Sequence, residues 1–173
     1  MKVIKPTVFI LDVDGVFTDG SFYYTPKGKI MKKFGPDDND ALDLLSKWIH
    51  IEAVSGDKRG FQISKKRIED DMGLQLTQVS TFERVEWIKK KFNLEEVIYM
   101  GDGIFDPLVF KRVAYSIAPA NAFYTAKSFA NFVTLSKGGS GAVAEAALHI
   151  MDKFFEPFNY DDLNFSGGSG AWK

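Results

Sequence analysis

The chain of 173 residues contains no cysteine and only two histidines. Without cysteine, disulfides, thiolate zinc sites and cysteine nucleophiles are excluded. The two histidines, His50 and His149, lie far apart in the sequence and away from the predicted strand ends. We interpret them as surface or packing residues and not as ligands.

The chain also lacks an excess of one charge and any long apolar run. Its 22 basic and 23 acidic residues give a formal net charge of -1, which predicts no nucleic-acid partner and no membrane partner. The short apolar stretch near the N-terminus runs straight into Asp12, so we interpret it as a strand and not as a signal peptide. A cytoplasmic location is the expectation. We expect one domain, residues 1–155, followed by a polar, glycine-rich tail at residues 156–173.

Short apolar runs alternate with segments of helical periodicity along the domain. The predicted strands are Thr7–Leu11, Ile51–Val54, Leu76–Ser80, Val97–Met100, Tyr115–Ile117 and Phe132–Leu135. The predicted helices are Asp38–Trp48, Phe61–Met72, Glu83–Phe92, Pro107–Arg112, Ala122–Phe129 and Gly141–Phe154. This alternation predicts an α/β fold with a central parallel sheet that is covered on both faces. Ligands of such sheets bind beyond the carboxyl ends of the strands.

One segment departs from this alternation. In residues 21–34, SFYYTPKGKIMKKF, aromatic and β-branched residues flank the turn sequence Thr25-Pro26-Lys27-Gly28. This pattern predicts a β-hairpin that projects from the sheet as a small flap.

Two apolar strands end in carboxylates. Asp12 and Asp14 follow the first strand in FILDVDG, and Asp102 with Asp106 follows a later strand in YMGDGIFD. Either motif alone is also explained as an ordinary turn, because Asp-Gly pairs are common turn formers. Together they place several carboxylates in one small volume, which their repulsion disfavours unless a cation lies among them. Oxygen ligands of this kind suit Mg²⁺.

These motifs resemble those of the haloacid dehalogenase superfamily of phosphohydrolases. The resemblance rests on Asp12-Val-Asp14-Gly15-Val16 with Thr18, on Val54-Ser55-Gly56, and on Gly101-Asp102 with Asp106. The extended form DVDGVFTDGSFYY, with a hairpin and no inserted cap domain, resembles the 3-deoxy-D-manno-octulosonate 8-phosphate (KDO 8-P) phosphatase group. That resemblance implies a Rossmann-like three-layer sandwich, Mg²⁺ as cofactor, and a homotetramer whose subunits help to close one another's active sites.

The resemblance also implies roles for the acidic residues. Asp12 is expected to attack phosphorus and form an aspartyl-phosphate. Asp14 is expected to protonate the leaving sugar oxygen and then to deprotonate the attacking water. The side chains of Asp12 and Asp102 and the backbone carbonyl of Asp14 are expected to hold Mg²⁺, while Asp106 orients neighbouring groups or a metal-bound water.

The phosphoryl group has its own expected ligands. Ser55 and the backbone N–H of Gly56 are expected to bind the transferring phosphoryl oxygens, and Thr18 supports the first motif. The chain departs from the family at the usual lysine, which lies at the start of the helix before the Gly-Asp motif; an alignment puts Ser80 or Thr81 there. Arg84 is the nearest cation that could substitute. Because Gly56-Asp57-Lys58-Arg59 replaces the usual Gly-Arg-x-Ser, Lys58 or Arg59 is a further candidate for phosphate or substrate contacts.

The sequence therefore predicts a Mg²⁺-dependent phosphatase of a small sugar phosphate, either KDO 8-P or a related acidic sugar such as an acylneuraminate 9-phosphate. Two alternatives remain open. The segment FGPDDNDAL (residues 34–42), which lacks the arginine usual in KDO 8-P phosphatases, favours a different sugar phosphate. The absent lysine favours a non-catalytic relative that binds a ligand or regulates another enzyme.

Overall fold

The computed structural model describes residues 5–161. Its strands are β1 (Val8–Asp12), β2 (Tyr23–Thr25), β3 (Gly28–Met31), β4 (His50–Ser55), β5 (Gln75–Gln78), β6 (Val97–Met100), β7 (Tyr115–Ala118) and β8 (Phe132–Val133). Six of them form a parallel sheet in the order β5-β4-β1-β6-β7-β8, and β2 pairs antiparallel with β3 in a separate hairpin. The predicted parallel sheet is thereby confirmed.

Helices cover both faces of this sheet. They are α1 (Asp38–Leu45), α2 (Phe61–Lys65, continued by a wider helical segment, Lys66–Asp71), α3 (Arg84–Lys91), α4 (Pro107–Phe110), α5 (Tyr124–Phe129) and α6 (Ala142–Phe154). The buried side chains Phe9 and Leu11 belong to the core shared with α1 and α6. Val8 and Ile10, which point the other way, belong to the core shared with α3, α4 and α5. This alternation along a strand buried on both faces makes the three-layer sandwich.

The boundaries differ from the predicted ones mainly at helix ends. Helix α1 ends at Leu45 and not at Trp48, because a turn in which the Trp48 N–H donates to the Leu45 carbonyl at 2.9 Å leads directly into β4. Helix α5 begins at Tyr124, two residues later than predicted. Most of the predicted tail, residues 162–173, lies outside the described residues, and the division of the chain at residue 155 stays a prediction. Within residues 5–161, no helix has the length and apolar character needed to cross a membrane.

A buried carboxylate connects the first and last helices. Asp38, in the first turn of α1, accepts a hydrogen bond from the Ala144 N–H at the start of α6 at 3.1 Å. Its side chain therefore satisfies the N-terminus of a different helix from the one it begins. Burial raises the pKa of Asp38 to about 6. The contribution of Asp38 to stability is thus fully present below pH 3.8 and is lost as the pH rises through about 6.

We expect Asp38→Asn to stabilise the protein in a pH-dependent way, because asparagine keeps an acceptor for Ala144 and never ionises. The gain in free energy of unfolding should be small near pH 4 and approach about 3 kcal/mol at pH 8, less whatever a weaker hydrogen bond costs. Denaturant unfolding at the two pH values measures it. The exposed neighbour Asp37 is the control, and Asp37→Asn should show no such rise. An equal gain at both pH values would contradict the burial account.

Candidate active site

The carboxylates predicted from sequence come together because their strands are neighbours. Strand β1 lies between β4 and β6, with Asp12 opposite Val54 and Leu11 opposite Met100. Parallel strands end at the same edge, so Asp12, Ser55 and Asp102 all lie at the carboxyl edge of the sheet. A cavity of about 300 Å³ opens at this edge, and Asp12, Asp14, Gly56, Arg84 and Asp102 contribute to its lining.

Three of the carboxylates form a compact group. Oxygens of Asp12, Asp102 and Asp106 all lie within 4.8 Å of one another. Burial, together with the charges of Asp12 and Asp106, raises the pKa of Asp102 to about 8. Burial also raises the pKa of Asp12, against the opposing effect of Arg84. Buried oxygens that repel one another in this way fit a hard divalent cation, which would lower their electrostatic energy.

Glycines make the space for this group. Gly15 has a left-handed φ of +81°, and a Cβ at this position would overlap the carboxylate of Asp102. A Cβ on Gly101 would similarly overlap the carboxylate of Asp106. Both glycines are therefore required by close approach, and Gly15 is also required by its left-handed conformation.

Arg84 is the cation at the centre of the site. It is the first residue of α3, so Arg84, and not Ser80 or Thr81, occupies the start of the helix before the Gly-Asp motif. Its side chain is 2% exposed. Its guanidinium donates to both oxygens of Asp12, from Nη1 to Oδ2 at 2.7 Å and from Nη2 to Oδ1 at 3.0 Å. This two-point contact is available to arginine and not to lysine.

Tyr99 and Asp106 also accept hydrogen bonds from Arg84. The Nη1 group of Arg84 donates to the Tyr99 hydroxyl at 2.6 Å and to Asp106 Oδ1 at 3.2 Å. The Tyr99 hydroxyl donates in turn to Asp106 Oδ1 at 2.9 Å, and Asp106 Oδ2 accepts from the Gly103 N–H at 2.7 Å. Both oxygens of Asp106 are thus engaged in holding other groups, in keeping with the orienting role expected for it.

Asp14 is not part of the three-carboxylate group. Its Oδ1 forms an ion pair with Lys32 at 2.7 Å, and its Oδ2 accepts from the Ser55 hydroxyl at 3.4 Å. Burial raises the pKa of Asp14, although Lys32 acts in the opposite direction. The buried Thr18 hydroxyl accepts from the Gly15 N–H at 3.1 Å and fixes the loop that carries Asp14.

The other two candidate cations lie outside this centre. Lys58 and Arg59 are exposed. Lys58 contributes to a second cavity of about 450 Å³, which shares Gly56 and Thr81 with the first cavity and is also lined by Gln78, Ser80, Phe82, Glu83 and Phe105. Arg59 lines neither cavity. Of the three cations proposed from sequence, only Arg84 contacts Asp12.

Sequence reasoning missed several residues of the site. Lys32 and Tyr99 gave no signal, because Lys32 is one of three lysines in KIMKK and Tyr99 reads as a core strand residue. Gly138 was also missed: the run Lys137–Gly141 reads as a turn before the last helix. A Cβ on Gly138 would overlap the carbonyl oxygen of Gly15, so this turn packs against the back of the aspartate loop.

Comparisons with known proteins agree with this geometry. Residues 87–146 match the haloacid dehalogenase-like hydrolase family. The 3-deoxy-D-manno-octulosonate 8-phosphate phosphatase KdsC of Haemophilus influenzae is 31% identical over 148 residues, covering 82% of this chain and 81% of that protein. The chain belongs to this phosphatase family. Its members are phosphoric monoester hydrolases, and the family assignment made from the sequence motifs is confirmed.

Solved structures show the same fold. A putative 3-deoxy-D-manno-octulosonate 8-phosphate phosphatase from Vibrio cholerae superimposes with a TM-score of 0.78 at 28% identity, covering 91% of this chain and 90% of that one. The cobalt-bound form of the Haemophilus influenzae phosphatase gives a TM-score of 0.74 at 26% identity, with coverages of 88% and 91%. The roles of individual residues in this KdsC-family chain stay predictions.

The contacts of Arg84 predict how the enzyme responds to its replacement. Arg84→Met should lower kcat by about 10²- to 10³-fold, because it removes the positive charge in contact with Asp12, the predicted nucleophile. Arg84→Lys should lose less, since it keeps the charge and gives up the two-point contact. Steady-state kinetics measure both. For comparison, the exposed Arg59→Met should change kcat little, and a larger loss at Arg59 than at Arg84 would contradict this assignment.

Proposed function

We propose that the protein is a Mg²⁺-dependent phosphomonoesterase that hydrolyses a small acidic sugar phosphate, KDO 8-P or a related sugar such as an acylneuraminate 9-phosphate. The observation that carries this proposal is the contact of Asp12 with Arg84 in the lining of a cavity to which Asp14 and Asp102 also contribute. A nucleophile, a cation and a second carboxylate are the groups that phosphoryl transfer through an aspartyl-phosphate requires.

Each side chain has a separate task in the proposed reaction. One carboxylate oxygen of Asp12 attacks phosphorus while the bond to the sugar oxygen breaks. Arg84 stabilises the charge on Asp12 and on the phosphoryl oxygens as they approach. Asp14 gives its proton to the departing sugar oxygen and later takes one from the water that cleaves the aspartyl-phosphate. Ser55 and the Gly56 N–H orient the phosphoryl oxygens.

Asp12 and Asp102, with the backbone carbonyl of Asp14, are the proposed ligands of the metal. When bound, Mg²⁺ supplies charge neutralisation and a fixed orientation for the phosphoryl oxygens. The all-oxygen donor set supports Mg²⁺ over metals that prefer nitrogen or sulfur ligands.

The second cavity supports an acidic sugar as the leaving group. It adjoins the phosphoryl site through Gly56 and Thr81, so a leaving group can extend into it. Phe82 and Phe105 form an exposed aromatic pair with ring centroids 4.7 Å apart, a surface suited to the C–H face of a sugar. The ammonium of Lys58 is available to a carboxylate, and the hydroxyls of Ser80 and Thr81 are available to sugar hydroxyls.

The alternatives differ in how well the site supports them. The hypothesis of a non-catalytic relative rests on the absent lysine, but Arg84 places a cation in contact with Asp12. The hypothesis of a different sugar phosphate rests on the segment FGPDDNDAL. In this segment Asp38 accepts a hydrogen bond from α6, whereas Asp37 and Asp40 are exposed. A different sugar phosphate therefore stays an alternative substrate.

We also propose the homotetramer and the cytoplasmic location expected from sequence. The hairpin exposes five large apolar side chains, each between 44% and 55% exposed: Phe22, Tyr23, Tyr24, Ile30 and Met31. Contiguous apolar exposure of this kind on a flap is typical of a subunit interface and supports assembly.

A panel of sugar phosphates with and without Mg²⁺ tests the proposal. We expect Mg²⁺-dependent phosphate release that favours acidic eight- or nine-carbon sugars and is abolished by Asp12→Asn. Lys58→Met should raise KM for acidic sugars by about tenfold, the loss of roughly one charge-assisted contact, and leave neutral sugar phosphates unchanged. Lys90→Met, on the exposed face of α3, is the matched control.

Three outcomes lead to different conclusions. Selectivity for a neutral sugar phosphate would contradict the proposed acidic substrate but would be consistent with the proposed phosphatase reaction. Unchanged turnover by Asp12→Asn would contradict the proposed mechanism, in which Asp12 attacks phosphorus. No phosphate release from any substrate would favour the non-catalytic alternative.

A further inference from the structure

Lys32 is a buried lysine for which the proposed reaction has no assigned task. It follows β3 directly, and its side chain is fully buried. Its ammonium group lies 2.7 Å from Asp14 Oδ1, 2.9 Å from Asp57 Oδ2 and 2.8 Å from the Ser64 hydroxyl. The contact with Ser64 is a hydrogen bond, and the contacts with Asp14 and Asp57 are ion pairs. Burying a lysine is costly unless it is paired in this way.

Asp57 joins this lysine to the rest of the hairpin. Asp57 Oδ2 also contacts Lys29 of β3 at 2.5 Å, and Asp57 Oδ1 accepts from the Gly60 N–H at 3.1 Å. Although burial acts to raise it, hydrogen bonds from Lys29 and Lys32 lower the pKa of Asp57 to about 2. Asp57 is therefore an anion that holds two hairpin lysines against the loop after β4.

The surrounding backbone is shaped for this cluster. A Cβ on Gly60 would overlap the Asp57 carboxylate and come within 2.8 Å of both Lys29 Cδ and Lys32 Cε. On the hairpin side, the Phe22 ring covers Lys29, with Nζ 3.4 Å from the ring centroid. Phe22 also lines the first cavity, to which Asp12 and Asp14 contribute. The contacts of this cluster thus connect the hairpin to Asp14.

We infer that Lys32 is a positioning residue: by pairing with Asp14 Oδ1 and Asp57, it fixes the Asp14 carboxyl group so that Oδ2 faces the leaving-group oxygen, and it ties the flap to this alignment. The inference rests on the proposed function, because it concerns the proton donor of that reaction. With Oδ1 paired with Lys32, Oδ2 of Asp14 lies 3.4 Å from the Ser55 hydroxyl, and Asp14 contributes to the lining of the first cavity.

The step that depends on this alignment is the departure of the sugar. As the bond from Asp12 to phosphorus forms and the bond from phosphorus to the sugar oxygen breaks, the proton on Asp14 moves to that sugar oxygen. The sugar leaves as a neutral alcohol and Asp14 becomes a carboxylate. A nitrophenolate leaving group departs as a stable anion and needs no such proton, so misplacement of Asp14 should affect the two kinds of substrate differently.

The test compares two substrates of similar size, benzyl phosphate and p-nitrophenyl phosphate, in the full-length enzyme with Mg²⁺. The ratio kcat/KM reports steps up to the first irreversible one, which includes leaving-group departure. We expect Lys32→Met to lower kcat/KM for benzyl phosphate by about 10²-fold, the order of loss for a misplaced catalytic group, and to lower it far less for p-nitrophenyl phosphate. Asp14→Asn should show the same selectivity, and the adjacent, exposed Lys33→Met should show none.

A milder variant covers the case in which Lys32→Met does not fold. Ser64→Ala removes the uncharged contact of Lys32 and keeps both carboxylates, so it should show a smaller loss that is again selective for benzyl phosphate. Equal losses on both substrates, or no loss, would overturn the inference, because a purely structural lysine would not distinguish between leaving groups.

A double-mutant cycle separates failure of this inference from failure of the proposed function. Unfolding free energies are measured for Lys32→Met, Asp14→Asn and the double variant. If the two side chains interact as described, the double variant loses less than the sum of the single losses. If the wild-type protein cleaves neither phosphate, the proposed function fails, and the cycle alone tests the interaction of Lys32 with Asp14. Additive losses of unfolding free energy would overturn that interaction.

Discussion

Carboxylates converge where β1 and β6 end, and their mutual repulsion in a buried setting has to be offset by positive charge. Arg84 supplies part of it, with one guanidinium in contact with both oxygens of Asp12 and with Asp106. The oxygens of Asp12, Asp102 and Asp106 lie within 4.8 Å of one another, a spacing that a bound cation also stabilises. Much of the local structure follows from this electrostatic constraint.

An arginine at this position brings further requirements with it. A guanidinium is larger than an ammonium and has more donors to satisfy. In this chain Tyr99 and Asp106 accept from Nη1, the nitrogen that also donates to Asp12 Oδ2. A second cation, Lys32, pairs with Asp14. The two carboxylates of the DVD motif thus have separate cationic partners. In the proposed mechanism, this separation lets Asp12 act as nucleophile and Asp14 as acid and base.

The sheet was predictable from sequence because its strands are short apolar runs between amphipathic segments, and the positions of Asp12 and Asp102 followed from the strand ends. Contacts between distant segments were not predictable. Nothing in KIMKK distinguishes Lys32, whose burial depends on Ser64 and Asp57 from another part of the chain. Gly138 reads as part of a turn, and its packing against Gly15 follows only from the placement of the last loop behind the first.

The proposed mechanism requires Asp12 to carry the phosphoryl group during turnover. The most direct measurement is mass spectrometry of peptides from enzyme quenched in acid during turnover of p-nitrophenyl phosphate with Mg²⁺. In Asp14→Asn, hydrolysis of the aspartyl-phosphate should be slowed and the intermediate should accumulate. Phosphate is expected on the peptide that contains Asp12, and none is expected in the Asp12→Asn protein. Phosphate on another residue, or equal labelling of the Asp12→Asn protein, would contradict the proposed mechanism.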